Sequence, residues 1–106
     1  MQGLSTTTWE LVQKLFAPTE QAEAGGLLVQ ECGKNLPLYV NSDEYGLERV
    51  RFAALKLSGG DLNRLYEAVD LAQHDWRDLL MAAGFGHSTT AHEEWGKPLL
   101  QAGPRG

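Results

Sequence analysis

The sequence predicts an all-α protein, a single compact domain of about five helices packed as a bundle without coiled-coil character. Three observations predict it. Apolar residues recur at helical spacing through residues 47–57 and again through 62–72. Ser58-Gly59-Gly60 separates those two segments, and Gly84-Phe85 closes the one that follows. The short run 27–30, which has strand character, finds no second strand of comparable strength to pair with, and a lone strand leaves its backbone unsatisfied.

Residues 1–5 are expected to fray, and the ordered core to run over about 7–95. Thr7-Thr8-Trp9-Glu10 fits a capping box, with the Thr7 hydroxyl accepting from the Glu10 amide and Glu10 reaching back. Trp9, Val12, Leu15 and Phe16 then share one helical face. Ala17-Pro18 stops that helix, because proline has no N–H to donate and drives its predecessor out of the helical region. Pro18 suits the first turn of a second helix, with Glu20 near its positive end.

Residues 19–32 are read as that helix, with Ala22, Leu28, Val29 and Cys32 on its apolar side. Gly25-Gly26 inside it costs about 1 kcal/mol per glycine relative to alanine, so either the pair serves a close helix–helix contact or the helix is broken there. Gly33 suits a left-handed cap, with Leu36 as its hydrophobic clamp. Residues 35–42 form an extended connector, and Leu36, Leu38 and Val40 alternate as in a short edge strand over 36–40.

Asn41 or Ser42 caps the third helix, with Asp43 and Glu44 in its first turn. Leu47, Val50, Ala54 and Leu57 make its stripe, and Phe52 and Leu55 widen it, which predicts a central helix with neighbours on more than one side. Asp61 caps the fourth helix, whose apolar face is Leu62, Leu65, Tyr66, Val69 and Ala72. The third and fourth helices form the central hairpin. Asp75-Trp76-Arg77-Asp78 repeats a capping signature and starts a short fifth helix that ends at Gly84, with Phe85 folding back. Ser88-Thr89-Thr90 before Glu93-Glu94 repeats it once more. Residues 96–106, with two prolines and three glycines, are expected to form a loose tail.

A length of 106 residues favours one domain and suffices for a core without metal or disulfides. The net charge of −5 repels phosphate backbones, and the nine basic residues are spread from Lys14 to Arg105 with no run of three. Nucleic-acid binding is therefore not expected. The helices after Asp43 resemble a helix-turn-helix in outline, yet Asn63 and Arg64 stand among Asp61, Glu67 and Asp70, and Arg77 stands between Asp75 and Asp78. No apolar stretch approaches the ~20 residues of a membrane span, the first residues lack the features of a secretory signal, and Cys32 is alone. The expected location is cytoplasmic.

Chemistry-bearing residues are sparse. Asp70 and His74, four apart, share a helical face with Glu67 nearby, a spacing that also describes a solvated acidic face ending in a histidine. His87 and His92, five apart, do not align on a helix. Cys32 near a helix end lacks the positive environment of a reactive thiolate. No phosphate loop, nucleophile elbow or HExxH occurs, so no enzymatic activity, cofactor or metal is assigned. The expected function is that of a small acidic helical module that binds another protein or itself, with Phe52, Leu55 and Trp95 as the candidate surface and a homodimer as one outcome. Trp9 and Trp76 sit near helix ends as core seals. The alternative is a small-molecule or metal-dependent activity at Asp70 and His74 or at His87 and His92.

Overall fold

In the computed structural model, which describes residues 3–33, 36 and 44–101, the chain forms α1 (Thr6–Leu15), α2 (Gln21–Glu31), α3 (Glu44–Ser58), α4 (Leu62–Ala82) and α5 (Ala91–Gln101). No strand occurs among the described residues. Of the expected connector, only Leu36 lies among them, and it is buried; the edge strand over 36–40 and the Asn41 or Ser42 cap lie outside the described residues.

The third helix is the centre of the fold. Leu47, Val50, Phe52, Ala53, Ala54 and Leu55 are all buried, which takes up nearly the whole circumference of α3. It packs most extensively on α4 and also meets α1 and α5; α2 closes on α4 and α1. The wide apolar stripe is thus satisfied within the chain. The radius of gyration, 12.4 Å, matches the ~13 Å of a compact chain near this length.

The Ser58-Gly59-Gly60 corner forms as its residues dictate. Gly59 and Gly60 have φ of 57° and 87°, in the left-handed region that glycine enters without steric cost. Buried Ser58 donates to the Leu55 carbonyl and accepts from Gly60 N, and Asp61 then accepts from Arg64 N as the α4 cap.

The expected short helix from Asp75 appears as the second half of α4. Asp75 has φ −160° and ψ 102°, an extended residue inside an otherwise helical run, and its carboxylate accepts from Arg77 N. The Arg77 guanidinium first, and then that Arg77 N–H, hold the Asp75 carboxyl below the usual range. The half-helix ends in a Schellman turn: Gly84 is left-handed at φ 80°, Phe85 N donates to the Leu80 carbonyl, Gly84 N to that of Met81, and Phe85 is buried.

Three expectations are corrected. The α1 cap is Ser5, not Thr7: its hydroxyl accepts from Thr8 N, so residue 5 is held rather than frayed. The α1 core face is correspondingly Thr8, Leu11, Val12 and Phe16, with Trp9 and Leu15 only partly buried. The second helix starts at Gln21, after a turn over residues 18–20, and runs unbroken through Gly25-Gly26, of which Gly25 is buried. The loose tail does not begin at residue 96. A fifth helix runs to Gln101 through Pro98, and Gly96 is buried where a Cβ would stand 3.1 Å from the Phe52 ring. Close packing at Gly96 holds the helix there, and exposed Pro98 removes one bond on the side that water can reach.

Candidate functional site

Along α1, α3 and α5 the molecule opens a groove of about 520 Å³. Phe52 and Leu100 supply its apolar floor, Thr7 one wall, and Glu48, Glu93 and Lys97 the charged rim. The elements that bring these residues together are set by small local features. Gly96 lets α5 approach the Phe52 ring, and the same missing side chain leaves room for Leu11 of α1. On the α1 side, Glu48 takes a hydrogen bond of 2.6 Å from the Ser5 hydroxyl and one of 3.3 Å from the buried Thr8 hydroxyl. The carboxylate that completes the α1 cap therefore comes from α3, forty-three residues away in the chain. No local pattern could have disclosed it.

Behind the groove floor sits an aromatic cluster around His92. Its ring meets Tyr45, Phe52 and Phe85 at centroid distances of 5.3, 5.2 and 6.3 Å, each edge to face, and Trp95 packs on Phe52 and Phe85. Tyr45 donates to the Thr89 carbonyl, and the neighbouring Glu93 carboxylate raises its phenol above the ordinary value. Arg49 donates to the carbonyls of Phe85 and Ser88. His92 is 0% exposed, with no hydrogen-bond partner on either ring nitrogen among the described residues, and burial drives its proton affinity down.

The sequence-derived candidates scatter. Phe52 and Leu55 are 2% and 0% exposed, so they are core and not surface; Trp95 is partly buried against the same core. Asp70 and His74 stand together on the outer face of α4, 74% and 73% exposed, and His74 Nδ1 is bonded to the Asp70 backbone carbonyl at 2.8 Å. His87 is exposed and His92 buried, so those two do not share a site. Among the described residues no three His, Cys, Asp or Glu side chains converge as metal ligands would. Cys32 is buried, and desolvation pushes its thiol up to about 12, which keeps it protonated and unreactive near neutrality. Asn63 and Arg64 are exposed on α4 beside exposed Glu67 and Asp70. No described helix is long and apolar enough to cross a membrane.

Sequence reasoning missed Glu48 and Arg51 outright. Arg51, 5% exposed, donates to the carbonyls of Cys32 and Gly3 and so fastens two distant segments to α3. The α5 contribution did leave a signal: His92, Trp95, Gly96, Leu99 and Leu100 fall at helical spacing, against which stand the prolines and glycines of residues 96–106. No known protein-family model, no curated protein and no solved structure matches this chain.

Proposed function

We propose that the protein is an interaction module that docks a segment of another polypeptide in the groove along α1, α3 and α5. The groove itself carries the reading: partly buried Leu100 beside the edge of the core residue Phe52, beneath a charged rim, on a scaffold of packed helices. Two carboxylates, Glu48 and Glu93, face one ammonium, Lys97, in a chain of net charge −5. The complementary occupant places an apolar side chain on the floor and a lysine or arginine beside it, as one face of a short amphipathic helix does. Rim charges of this kind act on encounter rate and register more than on final affinity.

Self-association through Phe52 and Leu55 has no support, because both are enclosed within the protomer. A copy-to-copy contact would have to use another face.

The test is a nuclear magnetic resonance titration with a short amphipathic Leu/Lys peptide, against its Leu/Glu counterpart. The expected outcome is salt-sensitive shifts centred on Thr7, Glu48, Glu93 and Leu100 with the cationic peptide alone. Lys97→Glu should tighten binding about two- to fivefold, the range of an exposed charge pair. Shifts elsewhere on the surface, or none with either peptide, would sink the reading.

A further inference from the structure

A neutral imidazole carries one N–H donor and one bare nitrogen acceptor, and an imidazolium carries two donors. The site of His92 offers neither form a partner among the described residues: the ring is enclosed, neither nitrogen is paired with a described group, and the rings of Tyr45, Phe52 and Phe85 pack on it. The site accepts the ring as an apolar plate on the α3-facing side of α5. Charges face it from two sides. On α3 these are Tyr45, Glu48 and Arg49; on its own helix, Glu93. The Phe85 turn brings its ring, with Lys56 Nζ 5.1 Å beyond, and α1 meets α5 through Leu11 at Gly96. Glu48 and Glu93 favour a charged ring and Arg49 opposes it. Glu48 is already shared by two hydroxyls.

We propose that His92 is a proton-operated latch: neutral, it clamps the first turns of α5 onto α3; protonated, it drives that end of α5 outward and opens the groove wall formed by Glu93 and Lys97. The consequence for binding, release of the occupant on acidification, rests on the docking reading above. The sign follows from burial. The folded chain holds the His92 proton less readily than the ordinary value of 6.5, while the unfolded chain holds it normally. The latch is therefore fully closed above about 6.5, weakens as pH falls below it, and stops weakening once pH passes the folded-state value.

Amide hydrogen exchange on the free chain, expressed as protection factors, tests it. Between about pH 7.5 and 5.5, α5 protection should fall several-fold in the native protein, because the opened state takes up the proton that the closed state refuses. In His92→Phe, which keeps an aromatic plate and removes the titration, it should stay level. Unchanged protection in the native protein, or an equal loss in the variant, overturns the latch. Should His92→Phe fail to fold, the His92 Cε1–H resonance of the native protein decides: a midpoint below 6.5 with coincident shifts in α5 supports the latch, and a midpoint at or above 6.5 refutes it. No peptide is needed, so a groove that binds nothing leaves the latch intact, and a failed latch leaves the groove.

Discussion

A methyl group added at Gly26 would meet nothing within 4 Å, whereas one added at Gly60 would stand 2.4 Å from the Leu15 carbonyl oxygen at a φ of +87°. The two glycines occur for different reasons, and alanine separates them. At Gly26, inside α2, alanine removes backbone freedom from the unfolded chain and should stabilise by about 0.5–1 kcal/mol. At Gly60 it meets both the left-handed penalty and a backbone clash, and should cost at least about 2 kcal/mol. Urea unfolding of the two variants checks both signs; a stabilised Gly60→Ala would mean that the corner against α1 is drawn wrongly. His92 shows the same dependence on surroundings. As a letter in the chain it resembles His74 and His87, yet those two are solvated and His92 is a core ring.

Among the elements, α1 is instructive because its cap is completed from outside. Ser5 alone, as an N-cap, contributes about 1 kcal/mol. With Glu48 accepting from both Ser5 and Thr8 the three should behave as a unit. A double-mutant cycle of Ser5→Ala and Glu48→Gln should give a coupling of about 0.5–1 kcal/mol, at the low end for contacting residues because Ser5 is exposed. Strict additivity in thermal or urea melts would contradict the geometry.

The same helix marks where sequence stopped being informative. The corners at Gly59-Gly60 and Gly84-Phe85 and the caps at Asp61 and Asp75 are legible, because left-handed backbone and orphan amides accept few residue types, whereas Gly33, expected to be left-handed, is not among the left-handed glycines of the described residues. The α1 cap was misplaced by two residues because Thr7 followed by Glu10 offers the same local chemistry as Ser5 with a distant glutamate. In residues 96–101 the prolines and glycines point to a loose tail, and the close packing that Gly96 permits overrides them. The groove was not legible at all: its lining comes from three helices whose juxtaposition no local pattern records. Wide apolarity on α3 suggested a surface for a partner, and the chain's own α1, α4 and α5 turned out to be the neighbours.

At the scale of the whole molecule, Cys32 is a reporter of how the protein opens. It sits at the end of α2, fully buried, with its carbonyl held by Arg51 and its thiol pushed up to about 12. Alkylation near neutral pH should therefore be slow in the native protein and fast once urea unfolds it. Its rate should track the unfolding free energy of the whole domain, the behaviour expected when opening must precede reaction. Rapid labelling under native conditions would show that the end of α2 comes away on its own, and that Arg51 does not hold it.

Arg49, Arg51 and Lys56 on α3 each grip backbone oxygens of another part of the chain: the Phe85 and Ser88 turn, the Cys32 and Gly3 ends, and the Ala83 terminus of α4. Each of those carbonyls is a loose end that its own neighbourhood leaves unfinished. No piece of the protein is consequently complete by itself. A cut at Gly59-Gly60 would leave Arg51 its Cys32 and Gly3 carbonyls but part Arg49 and Lys56 from theirs, stranding the Phe85, Ser88 and Ala83 carbonyls in the other fragment, and only mixing the two halves would restore those ties.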